Sequence, residues 1–279
     1  MSIIEDYIQI TNSLEKAIEF PKIKQVFFPS MEVDFGNQKS NNFGAIRLQD
    51  NSIGIIFIGL THDSKEKALN FKTKTLIGTN PSHLAKEIES KDVFRKILAF
   101  GAINAISQSF LKKINYAFDF TTDSLGLLNL NKEDKVGMVG FFPPLVKRIE
   151  NMNIPLVIIE KKERLVQKNE KWEVSLDPSL LKKCNKVLCT STTVLNDSID
   201  DILFYCQNTE KISMIGPTAG FLPDPLFDRG VDVIGGTYVS NPSLFIERIQ
   251  KNKRWRDSTI KYCIQTKNYA GFRTLLKEL

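Results

Sequence analysis

The sequence predicts an α/β protein in two parts, a small α+β unit followed by a unit on a mostly parallel, doubly wound sheet. Three observations predict this. Residues 23–60 hold three short apolar runs with short connections, which suit antiparallel pairing. Helical patterns then follow those runs instead of alternating with them, as in α+β units. Beyond about residue 120, continuous apolar runs alternate with helical segments, as in a parallel sheet buried on both faces.

Residues 2–20 read as an amphipathic helix, because Ile4, Tyr7, Ile8, Leu14 and Ile18 recur at helical spacing and Pro21 stops it. Strands are expected at 23–28, 43–48 and 52–60. Gly36, Asn37, Asn41 and Asn42 read as a turn between the first two, and Asn51–Ser52 as a tight hairpin between the second and third. Pro81 suits a helix start capped by Asn80 or Thr79. Residues 91–113 read as one long helix with Val93, Ile97, Phe100, Asn104 and Ser107 on one face. Its small residues Gly101, Ala102 and Ala105 permit close backbone packing.

The second part predicts strands at 135–140, 155–160, 186–190, 211–216 and 231–236. Helices are expected at 145–152, 178–184, 194–206, 224–228 and 242–250, and Trp172 is expected to pack a loop. Right-handed crossovers make a doubly wound topology the economical one. The expected boundaries are 1–120 for the first domain, 121–250 for the second, and 251–279 for a basic helical tail.

Composition is that of a globular protein, 42% hydrophobic and 25% charged over 279 residues. No apolar run approaches the roughly 20 residues a membrane span needs. The acidic start MSIIEDYIQI does not resemble a signal peptide, so a cytoplasmic location is expected. Cys184, Cys189, Cys206 and Cys263 form no C-x-x-C pair and are expected as free buried thiols. With His62 and His83 the only histidines, neither a protein-borne metal centre nor a Ser-His-Asp arrangement is expected, and His62 is the better placed to reach a cleft. The whole net charge of +6 sits in residues 251–279, which carry eight Lys/Arg and two Asp/Glu. That tail contains no nucleic-acid motif and reads as a solvated face, so nucleic acid is not the expected partner.

In open α/β sheets, ligands bind beyond the carboxyl ends of the strands. Four such ends carry polar or glycine-rich residues: Gly140 running into Pro143, Glu160, Thr190-Ser191-Thr192-Thr193, and Gly216-Pro217-Thr218. Glu160 lies where Rossmann-like nucleotide-binding domains place the acid that grips ribose. The first loop, however, is G-x-x-G followed by Phe141 and Phe142, which disfavours a dinucleotide and leaves a phosphate-free, methyl-donor nucleoside open. The Thr190–Thr193 run is expected to open a helix that holds an anion or simply caps itself, with Asn196 one turn on pointing to the same cleft. Asn104, polar on an apolar helix face, calls for a partner or a ligand. Glu160 and Asn104 are the catalytic candidates; Gly140, Pro143, Thr190, Ser191, Thr192, Asn196, Gly216, Pro217 and Thr218 are the ligand-binding ones.

The segments KILAFGAINAISQ, KVGMVGFFPPLVKRI, VLCTSTTVLNDSIDDIL and ISMIGPTAGFLPDPLFDRGVDVIGGTYV resemble the "putative heavy-metal chelation" domain family, a domain of unknown function. The similarity spans residues 90–245, with a weaker match over 23–60. It implies an enolase N-terminal-like domain followed by a Rossmann-like domain, and a site made by both. By motif match it carries over Asn104, Gly140, Pro143, Glu160, Thr190, Thr192, Asn196, Gly216, Pro217 and Thr218. The function it implies is a small-molecule enzyme or binding protein acting on a precursor of a metal-chelating compound in an interdomain cleft. The alternatives are a non-catalytic carrier of a metal or metal chelate and a methyltransferase-like nucleoside-binding protein. No cofactor is specified, no membrane partner is expected, and the oligomeric state is left open.

Overall fold

In the computed structural model, residues 2–30 and 42–279 are described. Gly36, Asn37 and Asn41 of the expected turn lie outside them. The fold is mixed α/β, with a three-stranded antiparallel sheet and a large, mostly parallel one.

Helix α1 (Ile3–Ala17) starts with a capping box between Ser2 and Glu5. Strands β1 (Ile23–Phe27), β2 (Phe43–Leu48) and β3 (Ile53–Phe57) form the small sheet in the order β1-β2-β3. The hairpin at Asn51 forms as expected; Asn51 takes φ 71°, a conformation asparagine tolerates, and Leu48 N–H closes on the Ser52 carbonyl at 2.9 Å. Helix α2 (His62–Asn70) was not anticipated, because its sequence is polar and buries only Ser64 and Ala68. Helix α3 (Pro81–Ala85) is capped by Asn80.

Helix α4 (Val93–Lys113) matches its expected span, with the Asp92 carboxylate accepting the Phe94 and Arg95 N–H groups. It packs on the small sheet so closely that a Cβ on Gly101 would come within 2.5 Å of Ile56 Cγ1.

The large sheet contains β4 (Val136–Val139), β5 (Leu156–Ile159), β6 (Gln167–Lys168), β7 (Trp172–Ser175), β8 (Lys186–Thr190), β9 (Lys211–Ile215), β10 (Val233–Val239) and β11 (Thr259–Gln265). Their order is β11-β10-β9-β8-β4-β5-β7-β6. All neighbouring pairs are parallel except those involving the edge strands β6 and β11. The chain therefore leaves the central β4 to one side (β5, β7), then returns to build the other side (β8, β9, β10). That reversal between β4 and β8 is a topological switch point.

Side chains alternate across this sheet. Val136, Met138, Leu156, Ile158 and Leu188 join one core with Val146 and Ile149 of α5 (Pro143–Asn151). Val139, Ile159, Val187 and Cys189 join another with α4, α6 (Thr192–Leu195) and α7 (Ile199–Tyr205). Both faces are thus buried, which is why the strands read as continuous apolar runs. Helices α8 (Asp224–Phe227) and α9 (Pro242–Gln250) follow. Phe245, Ile246 and Ile249 of α9 pack on Phe27, Ala45, Ile53 and Ile55, so the small sheet lies between α4 and α9.

Several expectations are corrected. The single helix at 194–206 is two, broken where Asn196 ends α6 and Asp197 turns with φ 57°. The helix expected at 178–184 is present, as a 3₁₀ helix over Pro178–Lys183. Trp172 begins β7, and its ring packs on Phe141 in the loop after β4. The expected helical tail is chiefly β11, an antiparallel partner of β10, followed by the short α10 (Phe272–Leu275). Tyr262, Cys263 and Ile264 are buried in the sheet while Ile260 and Lys261 near the start of the strand are exposed; Lys261 is the one charge within β11, and the other charges of the tail flank it. Among the described residues no helix is long and apolar enough to cross a membrane.

Candidate functional site

The parallel direction of β4, β5, β8 and β9 brings their carboxyl ends to one edge of the sheet. Val139 pairs with both Ile159 and Cys189, and Thr190 with Ile215. Gly140, Glu160, Thr190 and Gly216 therefore follow at neighbouring strand tips, about 5 Å apart per strand.

Gly140 has φ 90°, and a Cβ there would sit 3.3 Å from Thr190 Cβ. Only glycine allows the chain to turn so tightly against Thr190, and this contact lies at the switch point between β4 and β8. Pro143 is the exposed first residue of α5, where its missing N–H costs nothing. Phe141 turns aside to pack on Trp172, with ring centroids 6.0 Å apart. Glu160 is half-buried. Its Oε1 accepts the Phe141 N–H at 3.2 Å and its Oε2 the Lys161 N–H at 3.0 Å, which fixes the carboxylate beside the Gly140 turn.

The threonine run behaves differently from expectation. Thr190 Oγ1 donates to Thr192 Oγ1 at 3.2 Å, and both residues remain half-buried at the edge. Helix α6 has only four residues and no side-chain cap, so it lacks the dipole an anion site needs. The capping role expected of Thr192 or Thr193 is absent; Thr193 Oγ1 donates back to the Thr190 carbonyl at 2.7 Å. Asn196 closes a local turn, its Oδ1 accepting from the N–H and hydroxyl of Ser198.

Ser191 and Thr218 are buried and hydrogen-bonded to each other through their hydroxyls at 2.9 Å. A Cβ on Gly216 would fall 2.1 Å from Ser191 Oγ. Pro217 beside it is half-buried. Asn104 is fully buried (0% exposed), and its Nδ2 donates to the Ile55 carbonyl at 3.1 Å and the Thr218 carbonyl at 3.0 Å. It thereby ties β3 to the loop after β9, while its Oδ1 accepts no hydrogen bond.

Two further α4 residues that sequence reasoning did not assign to the site hold the same loop. Ser107 Oγ accepts the Leu222 N–H at 3.2 Å, and Gln108 Nε2 donates to the Gly220 carbonyl at 2.9 Å and to Tyr262 Oη at 3.2 Å. The signal was present: Asn104, Ser107 and Gln108 repeat at i, i+3, i+4 on an apolar helix. His62 and His83 are both exposed, His62 at the start of α2.

A separate cavity of about 250 Å³ lies where the β2–β3 hairpin, α4 and the end of β10 meet. None of the catalytic or ligand-binding candidates read from the sequence lines it, though Asn51 and Ser52 of the hairpin do.

Residues 123–266 match the family model DUF364, described as "Putative heavy-metal chelation". A DUF364 protein of unknown function from Desulfitobacterium hafniense has a TM-score of 0.70 and 18% identity, covering 95% of this chain and 98% of that one. Another from Pyrococcus horikoshii gives 0.65 and 18%, over 93% and 99%. The uncharacterized protein MJ0500 of Methanocaldococcus jannaschii is 24% identical over 195 residues, which is 68% of this chain and 73% of the relative.

Proposed function

Since this chain belongs to the DUF364 family, described as "Putative heavy-metal chelation", we propose that it binds and acts on a small organic molecule at the carboxyl edge of its large sheet. The observation that carries this is the contact of Gly140 with Thr190 at the switch point, with the Glu160 carboxylate held one strand away. Thr190, Thr192 and Glu160 would supply hydroxyls and a carboxylate to a polyhydroxyl or polyamine ligand, with Gly140, Pro143, Gly216 and Pro217 shaping the crevice. Ser191, Thr218 and Asn104 would hold the crevice from behind, through the hydrogen bonds described above. Asn196 would set the turn that ends α6. A division at residue 120 is supported by each sheet drawing its strands from one side of it, and the second unit runs past the expected boundary at 250, because β11 belongs to the large sheet.

The donor set does not fit a heavy metal held directly by the protein. Among the described residues, no three His, Cys, Asp or Glu side chains come together as a metal group. All four cysteines are buried, and burial pushes the thiols of Cys184 and Cys206 up to about 11 and that of Cys189 up to about 12. The thiolate that ligates a soft metal is thus disfavoured at each. A metal would reach this protein already complexed by the organic ligand.

Mass spectrometry of small molecules released on denaturing the purified protein tests the proposal. A released compound that disappears in Glu160→Ala and Thr192→Val, both still folded, is the expected result. Its unchanged presence in both variants, or stabilisation by equimolar bare Ni²⁺ or Zn²⁺, would overturn the proposal.

A further inference from the structure

The cavity between the β2–β3 hairpin, α4 and β10 is lined by Ser52, Gln108, Lys112, Tyr238 and Ser240 among others. At about 250 Å³ it has room for roughly eight waters' worth of liquid volume.

Gln108 is 7% exposed, and its amide has a fixed orientation. The Gly220 carbonyl can only accept, and the Tyr262 hydroxyl already gives its proton to the Ala219 carbonyl at 3.0 Å. Both groups must therefore face Nε2. The remaining acceptor, Oε1, has no hydrogen-bond partner among the described residues and belongs to the cavity wall.

A cation, Lys112, lines the same cavity as this acceptor. Lys112 donates to the Asp50 backbone carbonyl and has no carboxylate partner among the described residues. Arg47 directs Nε and Nη2 to Asn51 Oδ1, and Asn51 lines the cavity. The Asp50 carboxylate is occupied by the Ser52 N–H and by the Ser52 and Ser109 hydroxyls. The nine-residue α9 starts at Pro242 on the cavity wall, so its positive end lies there too.

We propose that this cavity binds a small hydroxycarboxylate. Its carboxylate would meet the Lys112 ammonium near the start of α9, its hydroxyl would donate to Gln108 Oε1, and its carbon skeleton would lie against Tyr238 and Ile53. The cavity shares no lining residue with the sheet-edge site, so the two proposals stand or fall separately.

Calorimetric titration of the full chain with malate, and with succinate as the analogue lacking the hydroxyl, tests this. Malate is expected to bind saturably and several-fold more tightly than succinate. Lys112→Met is expected to weaken malate about tenfold or more, the usual loss for a charge-assisted hydrogen bond. Lys112→Arg, which keeps the charge, and Lys113→Met, which removes the neighbouring one, are expected to retain binding. Lys112 is exposed, so the thermal midpoint without ligand should show Lys112→Met to be folded. No saturable malate heat, equal affinity for malate and succinate, or undiminished binding in Lys112→Met would each overturn the proposal.

Discussion

The Glu160 carboxylate and the Phe141 backbone N–H face each other across the tips of adjacent strands, 3.2 Å apart. The side chain of one strand end thus fixes the path of the next. Truncating it separates binding from folding. Glu160→Ala should cost less than about 1 kcal/mol in urea unfolding, because water can replace a half-exposed hydrogen bond. On the proposed function, the same variant should no longer carry the small molecule expected to be released from the native protein on denaturation.

Asn104 is the opposite case. Asn104→Leu would leave the Ile55 and Thr218 carbonyls without their donor in a buried place. A loss of about 2–4 kcal/mol is expected, measured as a lower urea midpoint at unchanged slope.

A third prediction concerns pH. Asp224 is pushed above the usual carboxylate range by burial, against the opposing hydrogen bonds from Phe272 N–H and the Tyr269 hydroxyl. A carboxyl with a raised folded pKa favours the folded state while protonated. That contribution is lost as pH rises from the usual carboxylate range through the raised value. The unfolding midpoint of the native protein relative to that of Asp224→Asn should therefore decrease as pH rises across the mildly acidic range.

The thiols give a fourth. With Cys184 and Cys206 at about 11, only about one thiolate in a thousand exists at pH 8. Titration with a disulfide reagent should find the four cysteines nearly inert in the native protein and all reactive in denaturant.

The parallel core was legible because strands buried on both faces leave unbroken apolar runs, as in VGMV and LVII. The strands at its margins were not. In β7 the segment WEVS buries only Val174, and in β11 the charges around TIKYCIQ masked a half-buried strand. The site was legible to the extent that strand tips follow from strand direction. The break after Leu195 was not, because it depends on Asp197 adopting a left-handed conformation and on the Asn196–Ser198 turn. The roles of Ser191 and Thr218 depend on a contact between residues far apart in sequence, which no local pattern records.

Helix α4 is bonded to both sheets at once, through Asn104 to β3 and through Asn104, Ser107 and Gln108 to the loop after β9. Opening the molecule between α4 and that loop would exchange these hydrogen bonds for bonds to water, at about 0.5–1.5 kcal/mol each, besides exposing the apolar surface packed around them. If the sheet edge binds a ligand as proposed, its admission and release would fall to small rearrangements of the strand-tip loops. Any catalytic turnover there would be paced by such local gating, and a spectroscopic label spanning the two sheets should report a constant distance throughout.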